Sequence, residues 1–181
     1  MSEFDSVTKL AVKLLVEPPG DFSPKSIVPV FHRWIREGAL APELAIDVVN
    51  YLHVSDGPGV LLICHRASCS LDFSSGRCGL MVSNARADEP FGLRVTSALR
   101  VATGALRRLR DDEEVGSALQ APTKGAELWV SDRLRAPNDR AHFEALRSES
   151  GVLLAEMLGS VTASWASADA RAPLGVRFEG R

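Results

Sequence analysis

Leu10, Val12, Leu14 and Val16 alternate with Lys9 and Lys13 on the other parity, the period of a strand with one buried face. Glu17-Pro18-Pro19-Gly20 ends that pattern. Ser23 or Ser26 then offers an N-cap, and Pro29 favours the later start because it would fall in the first helical turn. Ile27, Val30, Phe31, Trp34 and Ile35 form one apolar stripe at helical spacing, stopped at Gly38. Leu44 to His53 reads as a second strand. Pro58 and Gly59 suit the two central positions of a type II turn. Val60 to Cys64 is apolar on both parities, as in a strand covered on both faces. Ala67, Cys69, Leu71 and Phe73 alternate with Ser68, Ser70 and Asp72, and Cys78, Leu80 and Val82 alternate in return. With Ser74-Ser75-Gly76-Arg77 as its turn, the segment 67–84 is a predicted hairpin.

The clearest helix follows Pro90. Val95, Ala98, Leu99, Ala102, Ala105, Leu106 and Leu109 share one side over 91–110. Asp111 to Glu114 sit where the helix dipole disfavours anions, four residues after Arg107, Arg108 and Arg110, which suggests local ion pairs. Leu128 and Val130 mark a strand, and Pro137-Asn138 opens a helix with Phe143, Leu146, Leu153, Leu154 and Met157 inward. Val161, Ala163 and Trp165 form a strand, a turn spans 168–173, and Leu174, Val176 and Phe178 form the last. Both ends therefore read as β, α, β, β, about 115 residues apart. The pattern predicts a single α+β domain over 1–181. It holds a mixed, mostly antiparallel sheet, three main helices and a βαββ repeat, with halves 7–84 and 126–179 joined by helix 91–110. Alternating strands at 8–16 and 174–179 are the expected sheet edges, and exposed edges invite pairing with another copy.

Composition narrows the function classes. The 181 residues are 45% hydrophobic and 24% charged, enough for a core that needs no metal or disulfide staples. A net charge of -2 gives no reason to expect nucleic acid. No stretch approaches the roughly 20 apolar residues of a membrane span. The first residues, with Glu3 and Asp5 and no basic segment, do not resemble a signal peptide. Lysine occurs only at Lys9, Lys13, Lys25 and Lys124, so 21 minus 4 leaves 17 arginines, a bias expected of a GC-rich bacterial genome. Three cysteines cannot all pair within one chain, which points to reduced thiols in a cytoplasm.

Candidate chemistry is sparse. Cys64, His65, Cys69 and Cys78 suggest zinc, but a continuous strand would turn Cys64 away from Cys69 and put His65 on the apolar side. Cys69 and Cys78 would lie about 13 Å apart along the hairpin. No metal and no cofactor are therefore expected. The loop His53-Val54-Ser55-Asp56-Gly57-Pro58-Gly59 offers glycine amides for an anion, yet Pro58 removes one donor and the loop opens a strand rather than a helix. A ligand pocket, if the fold builds one, falls between loop 53–59 and the polar face of hairpin 67–84. Its residues would be His53, Asp56, Gly57, Gly59, Ser68, Ser70, Asp72 and Arg77. Trp34, Trp129 and Trp165 are expected as core or interface anchors. The leading expectation is a non-catalytic bacterial cytoplasmic binding or assembly module, self-associating as a homodimer and open to a protein partner. The alternative is a small-molecule-binding domain or enzyme using that pocket.

Overall fold

The structure, a computed structural model, describes residues 2–18, 20–41, 43–55, 57–84, 88–119 and 122–180. It is an α+β fold. The elements in chain order are β1 (Leu10–Val16), α1 (Ile27–Glu37), β2 (Ala45–Asn50), β3 (Val60–Cys64), β4 (Ala67–Asp72), β5 (Gly79–Asn84), α2 (Phe91–Arg110), β6 (Pro122–Val130), α3 (Arg140–Leu158), β7 (Val161–Trp165) and β8 (Leu174–Gly180). Short 3-10 turns occupy Pro24–Ser26, Ser74–Gly76 and Gly116–Leu119. The antiparallel strands are hydrogen-bonded in the order β2-β3-β4-β5-β1-β6-β8-β7.

By contact the chain forms two compact units. One comprises Met1–Lys13, Ser83–Leu99 and Lys124–Arg181; the other comprises Leu14–Val82 and Arg100–Thr123. The division passes through β1, β5, α2 and β6. In the first unit α3 packs on β7 and β8, burying Phe143, Leu146 and Leu154. The rings of Phe4 and Phe91 meet there at 5.2 Å. In the second, α1 packs on β2 and β3 through Ile27, Val30, Phe31 and Trp34. The α2 stripe is buried as its spacing predicts, from Val95 to Leu109.

Several expectations need correction. All seven residues of β1 are buried, Lys13 included at 1% exposure, where alternation predicts one open face. β1 lies between β5 and β6, which pairs both of its backbone edges, and burial on both parities means that both of its faces are covered as well. Likewise β8 lies between β6 and β7, so neither 8–16 nor 174–179 is an edge; the edges are β2 and β7. The αβ order does repeat, but β4 and β5 stand between β3 and β1, whereas β8 lies directly beside β6. A helix buried only along one stripe also tolerates polar insertion. On α3, Ser150 is fully buried with its hydroxyl on the Leu146 carbonyl, while Leu153 is half-buried and Met157 is 36% exposed. Asp112 and Glu114 pair with Arg33 of α1. Among the described residues no helix is long and apolar enough to cross a membrane.

Candidate functional site

The loop between β2 and β3 is held by its own backbone. Tyr51 N–H donates to the Gly59 carbonyl at 2.8 Å, Val54 N–H to Tyr51 at 2.9 Å, and Gly57 N–H to Val54 at 3.1 Å. Leu52 N–H donates to the Asn50 side chain at 3.0 Å. Pro58 has no N–H at all. An anion cradle needs convergent amides, and four of these are occupied within the turn. His53 is exposed, its ring 6.5 Å from that of Tyr51. Asp56 lies outside the described residues.

The two glycines serve packing. A Cβ on Gly57 would stand 3.0 Å from the Val54 Cβ. Gly59 has φ +70 and approaches so closely that a Cβ there would lie 2.3 Å from the Leu71 carbonyl oxygen. That contact seats the loop against the end of β4. Just beyond it, Asp72 Oδ1 accepts from Ser74 N–H at 3.2 Å and from Ser74 Oγ at 2.6 Å, closing the hairpin tip. The structure thus brings Gly57, Gly59 and Asp72 to one end of the sheet. Ser70 and Asp72 are each only 1% exposed. Ser68 pairs with Ile63 and lies four residues from Asp72, about 13 Å along the strand. Arg77 is exposed beyond the turn. The seven described candidates are therefore spread along the hairpin and its flanks rather than gathered at one point.

The thiols differ from expectation. Residues 65 and 66 form a bend, so β3 and β4 are separate antiparallel strands and His65 is exposed. Leu62 pairs with Cys69, and Cys64 alternates with Leu62, so Cys64 and Cys69 share a face. They are diagonal neighbours, a relation that sets Cα atoms about 7–8 Å apart, at or beyond the reach of a disulfide. Cys64 and Cys69 are buried free thiols. Burial, followed by the nearby Glu43 carboxylate, pushes the Cys64 thiol up to about 11. Burial, then Cys64, pushes Cys69 up as well. Among the described residues no group of three His, Cys, Asp or Glu side chains could hold a metal ion. A thiol-specific reagent at pH 8 should accordingly label Cys64 roughly two to three hundredfold more slowly than an ordinary exposed cysteine, since the thiolate is the nucleophile. Complete labelling of all three thiols within seconds, without denaturant, would contradict these burials.

The sequence reading missed four polar clusters, all within the first unit. The N-terminal segment is pinned by Asp5, which accepts from Phe91 N–H at 2.8 Å, and by Arg94, whose Nη1 donates to the Val7 carbonyl at 2.7 Å. Asp132 accepts from Thr8 N–H at 3.1 Å and from Arg135 at 3.0 Å. Burial raises the Asp132 pKa, but the Thr8 amide, Arg135 and the Thr8 hydroxyl together outweigh it and hold the carboxyl below its usual range. Asn138 is 5% exposed; its amide donates to the Ser167 and Asp169 carbonyls at 3.0 and 2.8 Å, and its oxygen accepts from Trp165 Nε1 at 2.7 Å. Asp139 caps α3 through His142 N–H, and that bond lowers its pKa. Glu127, fully buried, accepts from Arg177 Nε at 2.9 Å and from Trp129 Nε1 at 3.1 Å. Their only sequence signals are a Glu within a hydrophobic strand and an Asn-Asp pair before a helix. Each cluster braces backbone or strand pairing.

Comparison with protein-family models and with curated proteins gives no match to this chain.

Proposed function

We propose that the chain is a non-catalytic binding and assembly module of the bacterial cytoplasm that works as a homodimer. The observation that carries this reading is the contrast between the two sheet edges. Native proteins blunt edge strands with bulges and charges to prevent pairing. The β2 edge is blunted in both ways: its register is broken between Ala45 and Asp47, and the Asp47 carboxylate accepts from the Val48 N–H at 2.8 Å. The β7 edge, Val161-Thr162-Ala163-Ser164-Trp165, carries no charge and no proline, and pairs with β8 in unbroken register. An unguarded edge beside a guarded one suits a strand reserved for a partner. The arginine-rich composition supports a bacterial origin, and an odd count of three cysteines supports a reducing compartment.

Sedimentation velocity over a hundredfold range of concentration tests the assembly reading. A species of twice the 19.5 kDa chain mass should dominate at the upper end. A monomer persisting at 100-fold dilution and at the highest concentration alike would sink it.

A further inference from the structure

We infer that the partner of the β7 edge is β7 of a second copy, paired antiparallel about a two-fold axis at Ala163. This rests on the assembly reading above and adds its interface. An antiparallel pairing of a strand with its own copy is self-complementary, so one mutated surface changes both sides of the contact. An axis normal to the sheet keeps the α3-covered face continuous across the two copies. Directly opposite residues then share a face, which demands equal parity. Centring on Ala163 satisfies this and engages the whole strand: Val161 faces Trp165 of the copy, Thr162 faces Ser164, and Ala163 faces itself.

The side chains fit that register. Thr162 and Ser164 are exposed, whereas Val161, Ala163 and Trp165 are half-buried on the other parity. Thr–Ser and aromatic–β-branched pairs are favourable across antiparallel strands, and no like charges meet. Trp165 is already fixed by Asn138 at 2.7 Å and by stacking on Phe143 at 5.2 Å, so little side-chain entropy remains to be lost on pairing. Five residues of strand fall short of the roughly 1,000 Å² that a stable interface buries. α3 supplies the remainder, because it packs across β7 and β8 and the same axis sets the two α3 helices side by side.

Cross-linking tests the register. Under mild oxidation, Ala163→Cys should yield a disulfide-linked dimer in good yield, since opposed residues of an antiparallel pair have Cα atoms about 4.5–5.5 Å apart. Thr162→Cys, whose own copy stands diagonally, should link several-fold less, and the native chain should not link. Thr162→Lys with Ser164→Lys sets like charges opposite one another at exposed positions, and the dimer dissociation constant should rise at least tenfold. Mixing that variant with Thr162→Glu/Ser164→Glu should restore a mixed dimer. A native chain that never dimerises removes the assembly reading itself. A native dimer that neither links through Ala163→Cys nor weakens with paired lysines overturns the β7 interface alone and leaves assembly standing through another surface.

Discussion

Replacing Arg177 with methionine is expected to destabilise the chain by about 3 kcal/mol, the low end of the range for breaking a buried ion pair. Glu127 and Arg177 are directly opposed on β6 and β8, with Arg177 Nη2 2.8 Å from Glu127 Oε1. The carboxylate side chain is 0% exposed, the guanidinium side chain 20%. Removing the cation leaves a buried carboxylate that keeps the Trp129 Nε1 donor but has lost its charge partner. The low end applies because Arg177 is itself partly solvated. The double variant Glu127→Leu/Arg177→Met should recover most of the loss, because an apolar pair of similar volume avoids the desolvation of both ions. Urea denaturation reads both effects. Equal destabilisation by the single and double variants would show that packing, not charge, holds this site.

Much of the fold was legible because local pattern and burial agree. The α2 stripe from Val95 to Leu109 and the α1 stripe from Ile27 to Trp34 both face inward as their spacing requires. A helix of 20 residues repeats its signal over five turns, so single exceptions do not hide it. The hairpin around Ser74 was legible from turn chemistry, and Asp72 bonding Ser74 explains why. What alternation cannot carry is strand order. β1 has the lysine-bearing parity of a half-open strand, yet lies inside the sheet; the difference is made by neighbours far away in sequence. The two true edges, β2 and β7, have patterns no more polar than the interior strands.

The candidate site was less legible, and for a related reason. Parity places Ser68, Ser70 and Asp72 on one side of a strand, but a side is not a pocket. Ser70 and Asp72 are buried while Arg77 is exposed, and burial depends on what covers the face. The assumption of a continuous strand from Cys64 to Cys69 also failed at residues 65–66. That bend reverses the chain and returns Cys69 to the side of Cys64. Nothing marks it except His65-Arg66 interrupting the apolar run. Charged residues at the centre of the first unit, Glu127 and Arg94 among them, read as surface by composition alone, because Glu and Arg are rarely buried unpaired.

Gly59→Ala should prove comparably disruptive, at about 3–4 kcal/mol, and for reasons that two glycines separate. Gly59 and Gly76 both have φ +70, where an L-residue costs about 1–2 kcal/mol. At Gly76 an added Cβ meets nothing within 4 Å, so Gly76→Ala should show that backbone cost alone. At Gly59 the same Cβ would lie 2.3 Å from the Leu71 carbonyl oxygen and 3.4 Å from the Phe73 ring. A ring can rotate, but the carbonyl belongs to β4, whose Leu71 is paired with Val60 of β3. Relief therefore requires the loop and the strand end to separate, adding about 1–3 kcal/mol of overpacking strain. The Tyr51–Gly59 bond that closes the loop would lengthen with it, so the Tyr51 amide should exchange with solvent faster in Gly59→Ala than in Gly76→Ala. Chemical denaturation with hydrogen exchange distinguishes the two. If both variants lose the same stability and protect the Tyr51 amide equally, the loop does not depend on its contact with β4.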